Sequence, residues 1–277
     1  MIWICDDASE KVELSSRGSL YRNAEHPLGK PLDLRSELTM KPQTKKEYLE
    51  QLVSEKSQWS RRLTDAEKKL GFLGWHERGY LPHCDFPGLV QLVTFRLRDS
   101  MPLSRRGEWE HLLKIEEVKE RRLKLEEYLD KGVGNCDLRD VDIAQLAEDA
   151  LLYFDQDRYA LLAWCIMPNH VHVLFHVRQT PLSKVLQSWK IRAACQTRRL
   201  RNVKSSPQTR LQPLWQREYW DTYMRNSDQE RNAIKYIEMN PVKSRLCHAP
   251  ENWPFSSARY RDKFCRLKLP EKEVYVG

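Results

Sequence analysis

From Tyr159 to Met167 every position is apolar, Pro168-Asn169 then breaks the run, and from His170 to Val177 histidines at 170, 172 and 176 stand among apolar residues. Continuous apolarity up to Met167 predicts a strand buried on both faces and central in its sheet. The break predicts a turn that returns the chain as a second strand, so the segment reads as an antiparallel hairpin covered by a following helix, Leu182 to Leu200. Other stretches carry a helical period. Tyr48, Leu52, Trp59, Leu63, Ala66 and Leu70 predict an amphipathic helix from Lys45 to Leu70. Trp109, Leu112, Leu113, Val118, Leu125 and Tyr128 predict another from about Arg106 to Leu129, its charges a solvated face. Val141 to Phe154 is a third. Leu92, Phe95 and Leu97 mark a strand with Arg96 and Arg98 interleaved. Near the end, Ser227 and Glu230 form a capping-box pattern and Pro241 a stop, which bounds a short helix. Strand, helix, hairpin, helix, strand, helix suits α+β packing, with helices over one face of an antiparallel sheet rather than a doubly wound parallel one. Residues 1–44 show no usable period and receive no fold; Met40 offers an alternative start.

Composition narrows the class. The 277 residues suffice for one domain with extensions. Lys and Arg outnumber Asp and Glu by 47 to 39, a net +8 that favours a polyanionic partner without requiring one. Seven scattered cysteines without a Cys-x-x-Cys pair indicate neither a disulfide framework nor a zinc cage, and fit reduced thiols in a cytoplasm. No apolar run approaches the length of a membrane span.

Two constellations carry chemistry. His170 and His172 alternate on the second hairpin strand, so their side chains leave the same face. Alone, such a pair fits a divalent-metal site or satisfied structural histidines equally. His176 shares that face but lies roughly 13 Å along the strand, too far to join the same ion. On the late helix, Tyr236 and Asn240 are four residues apart and offset by roughly 40°. For an isolated helix, a half-buried tyrosine and a C-terminal asparagine cap would explain them as well.

The combination is more specific. Arg78-Gly79-Tyr80-Leu81-Pro82-His83, Val93-Thr94-Phe95-Arg96-Leu97, Ala163-Trp164-Cys165-Ile166-Met167-Pro168-Asn169-His170-Val171-His172, Leu214-Trp215-Gln216-Arg217-Glu218-Tyr219-Trp220-Asp221, Tyr236-Ile237-Glu238-Met239-Asn240-Pro241-Val242-Lys243 and Trp253-Pro254-Phe255-Ser256-Ser257 follow one another in order. Over residues 75–262 the chain thereby resembles the IS200-like single-tyrosine (HUH) transposases, above all the REP-associated tyrosine transposases. The resemblance implies a ferredoxin-like, RRM-like antiparallel sheet with helices packed on it. An N-terminal extension of residues 1–74, partly disordered with one amphipathic helix, precedes that catalytic domain, and a tail of 263–277 follows it.

It also implies a chemistry. His170 and His172 match the pair that holds Mg²⁺ or Mn²⁺, Asn240 matches the third metal ligand, and Tyr236 matches the nucleophile. Two imidazoles are easier to reconcile with Mn²⁺, or with Mg²⁺ that keeps much of its water. Cleavage would pass through a 5′-phosphotyrosine, and reversal by another 3′ hydroxyl would transfer the strand, on single-stranded or hairpin DNA of palindromic repeats. A monomer is the arrangement the REP-associated branch suggests, with a dimer as the other. Lys235, Lys243 and Arg231 are candidates to activate the phenol, and Tyr219 and Tyr223 are competing tyrosines. DNA contact is expected from Lys184, Trp189, Lys190, Arg192, Arg198, Arg199, Arg201 and Lys204 on the covering helix, and from Gln216, Arg217 and Arg225 beyond it. Trp253 and Phe255 would clip the C-terminal segment onto the core and hold the Tyr236 helix against the histidines. The other reading keeps the same fold as a regulator that binds DNA or RNA without cutting.

Overall fold

The structure, a computed structural model, describes residues 62–78, 81–115, 118–204 and 213–269. Most of the expected Lys45–Leu70 helix, two residues of the first motif, the Lys204 side chain and the end of the tail lie outside the described residues. Six strands and six α-helices carry the argument: α1 (Asp65–Leu70), β1 (Gly74–Arg78), β2 (Leu81–Asp85), β3 (Val90–Leu97), α2 (Arg106–Leu113), α3 (Val118–Asp130), α4 (Val141–Leu152), β4 (Tyr159–Ile166), β5 (His170–Val177), α5 (Leu182–Lys204), β6 (Trp215–Tyr223) and α6 (Ser227–Lys243). β1 and β2 form a hairpin of their own.

The main sheet has the order β4-β5-β3-β6 with every neighbour antiparallel. Read across the sheet from β6 to β4, the four strands are the fourth, first, third and second in chain order, the split βαβ arrangement of ferredoxin-like folds. β5 lies between β3 and β4, so the histidine strand is held by ladders on both edges. Its odd residues Val171, Val173 and Phe175 join Val93, Phe95 and Leu97 under α4 and α5. On the reverse face, Leu92, Cys165 and Leu174 pack under Ala233 and Ile237 of α6. Trp109 of α2 and Leu125, Tyr128 and Leu129 of α3 cover Trp220 there.

Helices therefore cover both faces, not one. The even face of β5 is polar at His170 and His172, which is why it resembles a solvated surface in the sequence, yet both residues are 1% exposed. β4 is likewise an edge strand rather than a central one. The 253–257 segment shields its outer side: Ile166 N donates to Phe255 O at 2.9 Å, and Trp164 N to Ser257 Oγ at 3.0 Å. An edge covered in this way is as buried as an interior strand and has the same apolar sequence. The predicted Arg106–Leu129 helix is two helices, closed after Leu113 by short-range bonds from Lys114 N to His111 O and Ile115 N to Leu112 O. No glycine or proline marks that break.

α6 begins one residue earlier than the capping box implied, because Asn226 is the N-cap and its side chain accepts from Gln229 N at 2.9 Å. Asn and Ser cap about equally well, so the two choices were close. Pro241 lies inside the helix. It gives up one backbone donor, but its fixed φ is helical, and Ser244 N still donates to Asn240 O at 3.0 Å.

Candidate active site

β5, the end of α3 and the second half of α6 converge on the even face of the sheet. The Nε2 atoms of His170 and His172 face each other at 3.0 Å. Asn169 Nδ2 donates to Val133 O at 3.0 Å, which turns its Oδ1 toward His170 Nδ1 at 2.7 Å. Nδ1 of His170 must therefore carry the proton, and Nε2 presents a lone pair. His172 Nδ1 lies 2.8 Å from Thr94 Oγ1, a hydroxyl that serves either tautomer and lets His172 present its own lone pair. Burial, and then the facing His172, hold the His170 pKa well below the usual imidazole value, so a proton is a poor occupant of the space between them.

Asn240, 1% exposed, lies with its amide Nδ2 3.1 Å from His172 Nε2, so a flip of the amide brings Oδ1, the atom that can bind a metal, to that place. Donor separations near 3 Å are those of neighbouring ligands on a divalent ion with bonds of about 2.1 Å. The donor set therefore fits the metal that the sequence implies. Among the described residues no group of three or more His, Cys, Asp or Glu side chains stands close enough to hold an ion without a side chain turning, and the Asn240 amide is the neutral donor beside the histidine pair.

Tyr236 sits one helical turn before Asn240, its ring 5.5 Å from the His172 ring. Lys243 Nζ lies 4.9 Å over the Tyr236 ring, whereas Arg231 pairs with Asp228 and Lys235 is exposed. Burial lowers the Lys243 pKa, opposed by Asp130 and Glu126. Tyr219 and Tyr223 are 7% exposed and lie on the opposite face, Tyr219 beside His83 and Tyr223 edge-on to Trp75. His176 Nε2 is 3.1 Å from Gly88 O, a backbone partner. The C-terminal clip holds α6 in place: Trp253 Nε1 donates to Ile166 O at 2.9 Å, and Ser257 Oγ to Glu238 Oε1 at 2.6 Å.

The residues expected to meet DNA are dispersed. Arg198, Gln216 and Arg217 line one cavity of about 530 Å³ between α5 and β6, with Lys190 and Arg201. Lys190 Nζ donates to Gln216 O at 2.9 Å, and Arg201 pairs with Asp137. Lys184 Nζ donates to Leu70 O at 2.8 Å at the end of α1, and Arg192 lies 3.4 Å over the Tyr153 ring. Arg199 and Arg225 are exposed. Trp189 corrects its expectation. It is 1% exposed and its Nε1 donates to Tyr159 Oη at 2.6 Å, so it fills the core and offers no face to a base.

Sequence reasoning passed over Thr94, Asn169 and Asp130. Thr94 was visible as a lone hydroxyl in an apolar strand and Asn169 as the polar neighbour of His170; Asp130 had no signal. It lies at the C-terminal end of α3, its Oδ1 3.6 Å from His170 Nε2. Burial first, then Glu126, push its pKa up to about 7 against the pull of Lys243.

The chain is similar to several known proteins. The family model described as IS200-like transposase matches residues 142–240, a span that includes His170, His172, Tyr236 and Asn240. A protein of Haemophilus influenzae named as a REP-associated tyrosine transposase is 27% identical over 104 residues, which is 36% of this chain and 58% of that protein. The REP-associated tyrosine transposase of Escherichia coli K12 is 25% identical over 116 residues, 41% of this chain and 63% of that one. The chain spans about three fifths of the length of these curated relatives. Among solved structures, a REP-associated tyrosine transposase bound to a REP hairpin has a TM-score of 0.42 at 18% identity, covering 70% of this chain and 88% of its own. A protein of Deinococcus radiodurans R1 described as a transposase has a TM-score of 0.28 at 16% identity, covering 60% and 96%. Over residues 142–240 the chain is similar to IS200-like transposases, and its curated relatives are named as REP-associated tyrosine transposases. Among the described residues no helix is long and apolar enough to cross a membrane.

Proposed function

We propose that the protein is a metal-dependent single-strand DNA endonuclease and strand transferase that works through a 5′-phosphotyrosine on Tyr236, on hairpin DNA of palindromic repeats. The reading is carried by one observation: the two Nε2 atoms 3.0 Å apart, the Asn240 amide 3.1 Å from one of them and the Tyr236 ring on the same imidazole all meet on one buried face.

His170, His172 and Asn240 would hold Mg²⁺ or Mn²⁺, which supplies Lewis-acid polarisation of the scissile phosphate when bound. The chain's own groups do the rest. Tyr236 Oη attacks phosphorus, the bond from phosphorus to the 3′ oxygen breaks, and that oxygen leaves as a hydroxyl after taking a proton. The 5′ phosphate stays on the tyrosine. Attack by a 3′ hydroxyl reverses the step and joins strands without a nucleotide cofactor. Lys243, over the Tyr236 ring, lowers the cost of the phenolate by its charge. The Arg198, Gln216 and Arg217 cavity would take phosphate and sugar contacts. The names of the curated relatives point to REP elements as the repeats to try first.

The test uses 5′- and 3′-labelled hairpin oligonucleotides with Mn²⁺ or Mg²⁺ on denaturing gels. Protein linked to the 5′ end of the downstream fragment is the expected product, absent in Tyr236→Phe. Cutting that survives replacement of both His170 and His172 by Ala refutes the metal site. Binding without any cutting favours the regulator.

A further inference from the structure

Resting on that reading of the histidine pair, we infer that Asp130 adds a carboxylate to the shell of the same ion and makes the site selective for a hard divalent metal. Its Oδ1 stands 3.6 Å from His170 Nε2, the nitrogen that also faces His172. That oxygen is buried and has no hydrogen-bond partner among the described residues. A buried carboxylate oxygen without a donor is costly, and it persists where something else meets it. Ordinary helix electrostatics do not account for it. Glu126, Glu127 and Asp130 crowd the last two turns of α3, and no basic residue occupies its last turn, although the carbonyls there already favour positive charge. Lys243 meets part of that demand from α6, and an ion at the histidines would meet the rest.

The chemistry of the donors agrees. Two neutral imidazoles and an amide bring no charge to a divalent ion and suit softer metals than Mg²⁺ or Mn²⁺, whereas a carboxylate adds a hard, anionic oxygen. The Asp130 side chain is 31% exposed, so it has room to turn inward by the small amount that separates its present spacing from a bonding one. Asp130 also precedes residues 142–240, the part that the family model matches. The carboxylate is therefore supplied by the segment between β3 and α4, outside the matched span.

Mn²⁺ titrated into the full chain without DNA, with free Mn²⁺ followed by its paramagnetic resonance signal, tests the inference. Wild type is expected to hold one ion; Asp130→Asn and Asp130→Ala should both weaken it about tenfold or more, with a smaller Mn²⁺-dependent rise in melting temperature. Wild-type affinity in both variants, with binding lost in His170→Ala, overturns the role of Asp130 and leaves the histidine site standing. Absence of a Mn²⁺ site in wild type, or undiminished binding in His170→Ala, overturns both. Melting curves without metal establish that each variant is folded, and the Ala variant provides the reading if the Asn variant is not.

Discussion

Arg261 Nε donates to Glu238 Oε1 at 2.8 Å, and the same guanidinium donates to Leu162 O at 2.6 Å. One arginine in the C-terminal segment thus ties the middle of α6 to the edge strand β4. Glu238 and Arg261 are 13% and 14% exposed, so this pair is worth more than a surface contact. Arg261→Ala should cost about 2 kcal/mol of stability and slow adduct formation more than it weakens DNA binding. Urea denaturation alongside single-turnover cleavage would check both; an equal loss of binding and rate would show that the clip does something other than hold α6.

Asn169 determines which nitrogen of His170 is free, through its bond to Val133 O. Asn169→Ala should weaken Mn²⁺ binding by about 10–100-fold while the protein stays folded. Calorimetric titration gives the number, and an unchanged affinity would mean that His170 is oriented by its strand alone.

Trp189 and Arg198 lie on the same helix, but Trp189 is buried in the core and Arg198 lines the α5–β6 cavity. Trp189→Ala should destabilise the fold by about 3–5 kcal/mol, and the milder Trp189→Phe should leave hairpin affinity intact. Arg198→Ala should leave the melting temperature alone, weaken binding and reduce the slope of log K against log salt by about one. A Trp189→Phe protein that melts normally but loses DNA would reverse these assignments.

Much of this was legible beforehand. His170 and His172 alternate on a strand bounded by a proline turn, and Tyr236 and Asn240 share a helix face, so local periodicity alone gave the faces from which these four side chains leave. Trp189 was misread although its pattern was available: Leu182, Val185, Leu186, Trp189 and Ala193 recur as the apolar stripe of a core helix. The charges between them drew attention to the wrong face. Asp130 was illegible for a different reason, since its place beside His170 depends on how α2 and α3 fold back over the sheet, and no short-range pattern encodes that return.

Lys243 offers a kinetic test. Lys243→Met keeps the stem over the Tyr236 ring and removes the charge, so adduct formation should fall about 100-fold, with its optimum moved to higher pH because more hydroxide is needed to form the phenolate. An unshifted profile would leave the phenol's activation to another group.

Glu148 sets a stability dependence on pH away from the site. It accepts from Trp164 Nε1 at 2.9 Å and from Arg259, yet burial dominates and raises its pKa above the ordinary 4.5. The folded state then holds this proton more tightly than the unfolded chain. Its contribution is complete below about pH 4.5 and is lost as pH rises through the folded value. Glu148→Gln keeps an acceptor for Trp164, so its urea midpoint should fall less between pH 5 and higher pH than that of wild type, and a parallel pair of curves would contradict the sign.

Tyr236 and Asn240 ride one rigid rod, bolted to the sheet by the clip, so the proposed attacker and the proposed chelator cannot be repositioned separately. Any swing of α6 that lets a finished strand depart also withdraws an amide from the imidazole couple. Strand release and loss of the metal should therefore rise and fall together, and variants that loosen this rod should shed their ion as readily as their DNA.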